Sequence, residues 1–239
     1  MTSTPAPLRT GTEVGTVYVT GGSSGLGAAV VAAVTKAGGT PAVIDLSPPD
    51  DPALAHAVAD LSDSAAAAAA VSRLVEQVGP PDAVVTAAGT DACGPLSGVS
   101  TEDWERVVRV NLLGTAAVIR AALPHLEERH GRVVTVASTL GLKAVGDATA
   151  YCASKFGVVG FTRALATELA GQVGVTLLVP GGMRTRFFDG RTEQYRPGPD
   201  APLNDPDDVA ATVLMALQQP AGCEVRELVV ASSNEPSWP

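Results

Sequence analysis

Short β-branched runs alternate with longer helix-forming segments along most of the chain, and this alternation limits the fold more than any other feature. Parallel strands need long crossover connections, usually helices, so the alternation predicts a parallel sheet. Several runs are apolar on both faces, which is typical of strands covered by helices on either side. Predicted strands cover 16–20, 40–45, 56–61, 82–88, 131–138, 175–180 and 227–232. We therefore expect an α/β fold, a doubly wound parallel sheet of about seven strands with helices on both faces.

The segments between these strands have helix-forming sequences, with one exception. Predicted helices cover 25–37, 64–78, 102–129, 149–170 and 206–218. The last has a clear start signal, because Asp205 is a suitable N-cap and Pro206 fits the first turn. The exception is the segment 183–204, which is rich in Pro, Gly, Arg and Asp without a clear period. A connection of this length in a compact domain is often functional, so we expect a substrate loop or lid there.

Length and charge limit the class of protein. The chain has 239 residues, 46% of them hydrophobic, which is enough for one sizeable core. We expect a flexible tail at 1–14 and a single domain at 15–239. The net charge of −9 argues against binding to nucleic acid or to anionic membranes, which requires a basic surface. Widely spaced cysteines and a start without an apolar export segment favour a cytoplasmic protein that does not cross a membrane.

The sequence TGGSSGLG at 20–27 lies between a predicted strand and a predicted helix. Glycines in that context allow a sharp turn and let a pyrophosphate approach the backbone. The loop lacks the Gly-Lys-Ser/Thr ending of triphosphate-hydrolysing loops, so dinucleotide binding is the favoured interpretation. A tight turn without a ligand would also use glycine, and the motif alone leaves that alternative open. The predicted cofactor contacts in this loop are Gly21, Ser23, Ser24, Gly25, Leu26 and Gly27.

Asp45 ends the next predicted strand, where an acid can hydrogen-bond the ribose hydroxyls of a bound adenosine. A carboxylate at this position repels the extra phosphate of NADP. No Lys or Arg stands at Ser23, Ser24, Leu46 or Ser47 to receive that phosphate. The sequence therefore favours NAD over NADP, although an aspartate before Ser-Pro-Pro could also serve only to cap a turn.

Tyr151 and Lys155 lie four residues apart in a predicted helix, and Ser138 ends the strand before it. Residues at this spacing share one helix face. An ammonium group beside a phenol favours phenolate, so we expect Lys155 to lower the pKa of Tyr151 from its usual value of about 10. Such a tyrosine can act as general acid or base towards a carbonyl or alcohol oxygen.

Taken together, these motifs resemble the short-chain dehydrogenase/reductase family, in its single-domain branch, over about 16–232. The resemblance implies a Rossmann-like dinucleotide-binding catalytic domain that transfers hydride between NAD and a secondary alcohol or ketone, with no metal. It implies a catalytic tetrad of Asn111, Ser138, Tyr151 and Lys155. Further cofactor contacts implied by it are Leu46, Asp60, Leu61, Ala87, Ala88, Gly89, Pro180, Gly181, Met183 and Thr185, besides Tyr151 and Lys155.

The resemblance also implies a role for each member of the tetrad. Tyr151 exchanges the proton with the substrate oxygen, and Ser138 hydrogen-bonds that oxygen. Lys155 binds the nicotinamide ribose and lowers the pKa of Tyr151. Asn111, through its backbone carbonyl, holds a water that links Lys155 to solvent. Independently of the resemblance, Phe187 and Phe188 fall in the predicted lid of a chain with only 4% aromatic residues. They and Leu140 are candidate substrate contacts, although the two phenylalanines could also serve only to anchor the loop.

One position departs from the family pattern. The family usually has Asn-Asn-Ala-Gly after the fourth strand, whereas this chain has Thr86-Ala87-Ala88-Gly89. The missing first asparagine removes an amide that braces the sheet beside the adenosine pocket. A threonine hydroxyl can supply part of that hydrogen bonding.

The sequence is also compatible with two other functions, and it suggests an assembly. The first alternative is an NADP-using reductase of acyl-thioester or polyketide carbonyls, which the arginines at 184, 186, 191 and 196 would suit by meeting a carrier protein. The second is a non-catalytic dinucleotide sensor, because fold does not fix function. By resemblance, the helices at 102–129 and 149–170 would pack against symmetry mates and form a homodimer or homotetramer.

Overall fold

The computed structural model describes residues 13–235 and has seven parallel strands with helices on both faces, which confirms the predicted fold class. The strand order is β3-β2-β1-β4-β5-β6-β7. The strands are β1 Thr16–Thr20, β2 Thr40–Asp45, β3 Ala55–Val58, β4 Ala83–Thr86, β5 Arg132–Val136, β6 Gly174–Pro180 and β7 Glu227–Val230. The helices are α1 Gly25–Lys36, α2 Ser64–Val78, α3 Thr101–Val108, α4 Thr115–Arg129, α5 Thr149–Glu168 and α6 Pro206–Leu217.

The central strands alternate their side chains between two cores. In β1, Tyr18 packs with α2 and α4 on one face, while Val17 and Val19 pack with α1 and α6 on the other. All three side chains are fully buried. Every central strand is therefore apolar on both faces, because helices cover both.

Strand β1 pairs with β2 on one side and with β4 on the other. The order of connection reverses between β1 and β4, and a crevice opens at the carboxyl ends of strands at such a point. The topology thus places the loops after β1, β2, β4 and β5 around one opening.

Three predicted strand ends were wrong. Strands β3, β4 and β5 end two to three residues earlier than predicted, at Val58, Thr86 and Val136. The residues that follow them leave the sheet and line the crevice. The N-cap of α6 was predicted correctly, since the Asp205 side chain accepts from the Asp207 N–H.

The predicted helix at 102–129 is in fact α3 and α4 joined by a π-helical turn at Arg109–Gly114. A π turn inside an α-helix shifts the side chains that follow and is frequent at functional sites. By length and composition alone the run Thr101–Arg129 could cross a membrane, but a soluble core helix passes the same test. Here Val118, Ile119, Ala122 and Leu126 of this run are fully buried in the core.

Candidate functional site

A cavity of about 530 Å³ opens at the carboxyl ends of the strands, at the point where the connection order reverses. Nearly every residue that the sequence singled out lies on its wall. The lining includes Gly21, Ser24, Gly25, Leu26, Gly27, Asp45, Leu46, Asp60, Leu61, Ala87, Ala88, Gly89, Ser138, Leu140, Tyr151, Lys155, Pro180, Gly181, Met183, Thr185, Phe187 and Phe188. Ser23 and Asn111 do not line the cavity.

The glycine loop after β1 leaves no room for side chains. A β-carbon on Gly27 would lie 2.1 Å from the Gly21 carbonyl oxygen, so the helix start and the loop are in backbone contact. Gly21 has a φ of +70°, which side chains rarely tolerate. Ser24 gives α1 no side-chain cap, and the first turn of α1 has no acidic residue. Uncapped N–H groups at a positive helix end suit an anionic group, so this loop fits a dinucleotide pyrophosphate.

The Asp45 side chain lies on the cavity wall and is held in place by the glycine loop. Its Oδ2 accepts from the Ser23 N–H at 3.0 Å, and Ser23 Oγ donates to the Ser47 carbonyl at 2.7 Å. Ser23, predicted as a direct cofactor contact, does not line the cavity and joins the glycine loop to the end of β2. The sequence could not show this, because the contact spans two separate loops.

Asp60 stands further along the same end of the cavity. The Ser62 N–H donates to its Oδ1 at 2.9 Å, and Arg106 Nη1 donates to its Oδ2 at 3.1 Å. The Ser62 N–H, more than Arg106, lowers the pKa of Asp60. Arg106 also lines the cavity and was missed by sequence reasoning. Arg106 lies one helical turn before Val110, which also lines the cavity. That four-residue spacing places both side chains on one helix face and is the signal by which Arg106 could have been predicted.

Ser138, Tyr151 and Lys155 come together at the other end of the cavity. Ser138 and Tyr151 are joined by a side-chain hydrogen bond. Lys155 Nζ donates to the Val136 carbonyl at 2.9 Å and lies 5.6 Å from the centroid of the Tyr151 ring. Since β5 supplies Ser138 at its end and α5 supplies the other two, the strand–helix geometry sets the spacing of the group.

The pKa of Tyr151 differs from the predicted direction. Burial raises the pKa of Tyr151 to about 12, and the hydrogen bond from Ser138 only partly opposes this. Burial also lowers the pKa of Lys155 to about 8. The expectation that Lys155 lowers the Tyr151 pKa was therefore wrong for the protein alone, because both groups are desolvated and the ammonium is directed to the Val136 carbonyl.

Asn111 lies in the π turn, buried beneath the cavity wall rather than on it. Its side chain accepts from the Thr90 N–H at 2.8 Å and donates to the Thr90 carbonyl at 2.9 Å. Its backbone carbonyl accepts from Thr115 Oγ1 at 2.9 Å. Asn111 thus ties the π turn to the loop after β4.

Thr86 does not replace the hydrogen bonds of the asparagine that the family pattern places there. Its hydroxyl oxygen is buried and has no hydrogen-bond partner. Thr20 Oγ1 instead accepts from the Ala88 N–H at 3.1 Å and joins β1 to the loop after β4. This corrects the expectation that the Thr86 hydroxyl supplies part of the missing bonding.

The segment 183–204, referred to below as the lid, covers the Tyr151 end of the cavity. Phe187 lies 5.7 Å from Tyr151, centroid to centroid, and 5.5 Å from Phe188. Met183 forms an isolated parallel bridge with Asn204, so the two ends of the lid are joined. Arg191 and Glu235 also line the cavity. The sequence singled out Arg191 only as one of four lid arginines that would suit a carrier protein, and it did not single out Glu235.

Comparisons with known proteins agree with this geometry. The family model described as short chain dehydrogenase matches residues 15–196. A 2-dehydro-3-deoxy-L-rhamnonate dehydrogenase (NAD(+)) from Sphingomonas is 39% identical over 72% of this chain and 73% of its own length. A (2S)-[(R)-hydroxy(phenyl)methyl]succinyl-CoA dehydrogenase subunit from Thauera aromatica is 37% identical over 70% of this chain and 69% of its own.

The fold is also that of a solved structure. An alcohol dehydrogenase from Thermococcus sibiricus, complexed with 5-hydroxy-NADP, superimposes with a TM-score of 0.81 at 23% identity, covering 91% of this chain and 96% of its own. Identity this low supports the fold only. Together with the family match, these findings show that the chain belongs to the short-chain dehydrogenase family.

Proposed function

We propose that the protein is an NAD-dependent oxidoreductase that transfers a hydride between the nicotinamide and a secondary alcohol or its ketone. The observation that carries the proposal is the position of the hydrogen-bonded Ser138–Tyr151 pair and Lys155 in the same cavity as the glycine loop. A dinucleotide held by its pyrophosphate at that loop extends far enough to bring its reactive ring to a group at the other end.

In this proposal, Tyr151 takes the alcohol proton during oxidation and returns it during reduction. Ser138 orients the substrate oxygen by hydrogen bonding, and the nicotinamide, when bound, accepts or supplies the hydride. Lys155 orients the nicotinamide ribose and, as an ammonium beside the ring, stabilises phenolate once the site is assembled. Asn111 acts from below the wall by holding the loop after β4 in register.

Absorbance of reduced nicotinamide over a panel of secondary alcohols tests the proposal. Turnover above that of a Tyr151→Phe variant supports it. Binding of NADH, seen by fluorescence, with no turnover of any alcohol or ketone would instead favour the dinucleotide-sensor alternative.

We predict that Asp45→Ala narrows the preference for NAD over NADP by about tenfold or more. The carboxylate lies on the cavity wall beside Leu46. Positions 23 and 47 near it hold serines, so neither supplies a basic side chain for the extra phosphate. Removing it eliminates charge repulsion of the extra phosphate, and about 1.4 kcal/mol corresponds to a tenfold change in affinity. The ratio of dissociation constants for NADH and NADPH is the measurement. Tighter binding of NADPH than NADH by the unaltered protein contradicts this assignment.

The contacts of the lid arginines give little support to the alternative function, a reductase of carrier-bound thioesters. Of its four arginines, Arg191 is paired with Asp91, and Arg196 donates to the backbone carbonyls of Arg191 and Asp189. Arg184 and Arg186 are exposed, and Arg184 forms a long ion pair with Asp205 at 3.9 Å. Two exposed arginines make a small basic surface for an acidic carrier protein.

We also propose that the chain assembles as a homodimer or homotetramer through α4 and α5. Leu113, in the π turn just before α4, and Phe156, on α5, are large apolar side chains left 48% and 43% exposed. Burying such side chains between copies removes apolar surface from water. Light scattering should give two or four times the chain mass of 24.1 kDa, and a monomer would contradict the assembly.

A further inference from the structure

The ion pair between Asp91 and Arg191 differs from the other ion pairs of residues 13–235. Asp91 follows β4, Arg191 lies in the lid, and their side chains meet at 2.7 Å. The two side chains are only 6% and 18% exposed, whereas each of the other ion pairs has one side chain more than 40% exposed. Breaking such a pair is costly, because it leaves an uncompensated charge in a poorly solvated place.

Asp91 is held rigidly on its own side of the contact. The Ala92 N–H donates to its Oδ1 at 2.7 Å, and the Cys93 thiol donates to its Oδ2 at 3.1 Å. Burial and the neighbouring Asp91 carboxylate raise the pKa of Cys93 to about 11, so this thiol stays protonated and remains a donor. The carboxylate is therefore a fixed feature of the body of the protein, and Arg191 is the partner that the lid brings to it.

Arg191 also braces the aromatic wall of the lid. Its guanidinium carbon lies 5.0 Å from the centroid of the Phe187 ring and 4.6 Å from that of Phe188, within the range of cation–π attraction. Phe187 in turn contacts Tyr151. A continuous set of contacts thus runs from Asp91 through Arg191 and Phe187 to the proposed acid/base group.

Within residues 13–235, the lid has few other polar contacts with the body of the protein. Its ends are joined by the hydrogen bonds Arg184 N–H to Asn204 carbonyl and Asn204 N–H to Gly182 carbonyl, at 2.9 and 2.8 Å. Its middle is held by Arg191 and by the Tyr195 hydroxyl, which donates to Asp147 Oδ2 at 3.0 Å. Of these two, only the Arg191 contact changes the charge near Tyr151.

The charged and titratable groups that face Tyr151 come from three elements. Lys155 and Cys152 lie on its own helix, Asp91 on the loop after β4 and Arg191 on the lid. Asp91 raises the pKa of Tyr151 and Arg191 lowers it. A lid displaced from the cavity would leave the Asp91 influence unopposed.

We propose that Arg191 and Asp91 are positioning residues whose ion pair couples closure of the lid to the charge that faces Tyr151. When the lid is closed, Arg191 neutralises the carboxylate near the acid/base group and holds Phe187 against it. When the lid is open, the carboxylate alone faces Tyr151 and the site is not set for proton transfer. This inference rests on the proposed function of Tyr151.

The pH dependence of kcat for alcohol oxidation tests the coupling. Oxidation needs an unprotonated Tyr151, so activity rises with pH through the pKa of that group in the complex. Arg191→Met should move this rise to higher pH, and Asp91→Asn should move it to lower pH, each by about half a unit to one unit. Arg191→Lys, which keeps the charge, should leave the rise near its original place.

Tyr195→Phe is the matched control. It removes the hydrogen bond between Tyr195 and Asp147 without changing a charge. It should therefore lower kcat without changing the pH at which kcat rises. Shifts of the same sign in Arg191→Met and Asp91→Asn, or no shift in either, would overturn the coupling and leave only a mechanical brace.

A second measurement does not depend on turnover. Chymotrypsin cleaves after aromatic residues, and the lid offers Phe187, Phe188 and Tyr195. Chymotrypsin should cleave the lid of the Arg191→Met variant several times faster than that of the unaltered protein. An equal cleavage rate would overturn the role of Arg191 in holding the lid to the body of the protein. Absence of turnover in the unaltered protein, with faster lid cleavage in Arg191→Met, would refute the proposed function while retaining the tether.

Discussion

Tyr151→Phe is expected to lower kcat for alcohol oxidation by about a thousandfold, within the usual range for removal of a general acid/base. The substitution removes one hydroxyl and keeps the ring that packs against Phe187. It also leaves Lys155 bonded to the Val136 carbonyl, so the surrounding structure should persist. The comparison is between rates at saturating cofactor and alcohol.

The same variant provides its own control through cofactor binding. The glycine loop and Asp45 lie at the far end of the cavity, so the dissociation constant for NADH should change by no more than about threefold. A kcat within tenfold of the unaltered enzyme would mean that Tyr151 does not transfer the proton. A parallel loss of NADH binding would mean that the ring is a structural support instead.

Gly27→Ala is expected to weaken NADH binding by about 10- to 100-fold or more. Its added methyl would lie 2.1 Å from the Gly21 carbonyl oxygen, which is backbone and cannot rotate away. The loop or the start of α1 must shift, and forcing a group into a filled site costs about 1–3 kcal/mol. Because the shift falls on the groups that would hold the pyrophosphate, the cost should appear in cofactor affinity as well as in stability.

Gly146→Ala is the control for this change. A β-carbon there meets nothing within 4 Å, and the position is exposed in the loop before α5. Its dissociation constant for NADH and its Tm should both match the unaltered protein. If Gly27→Ala binds NADH as tightly as Gly146→Ala, the loop is only a tight turn and does not hold the pyrophosphate.

The parts of the site that share one sequence segment could be predicted. The glycine loop has its spacing within one turn, and Tyr151 and Lys155 share a helix face, so local geometry is enough. The central strands followed from their two apolar faces, since no other element suits such short buried runs. Strand ends were less accurate, because Ala59, Ala87 and Ala137 are as apolar as strand residues but line the cavity.

The parts that depend on distant contacts could not be predicted. Arg191 and Asp91 are separated by a hundred positions, and nothing in either neighbourhood marks them as partners. The π turn at Asn111 was hidden within a continuous helical pattern, since hydrophobic periodicity does not separate π from α turns over six residues. The direction of the Tyr151 pKa depends on burial, which the Tyr-Lys spacing does not report.

The central claim is hydride transfer between NAD and a secondary alcohol or ketone with Tyr151 as acid/base. Its most direct test is a panel of secondary alcohols and ketones, run in both directions with NAD and with NADP, on the unaltered protein and on Tyr151→Phe. We expect at least one alcohol–ketone pair to be interconverted, faster with NAD than with NADP and about a thousandfold slower in the variant. An unaltered protein that binds NADH but never exceeds the variant on any member of the panel would contradict the claim.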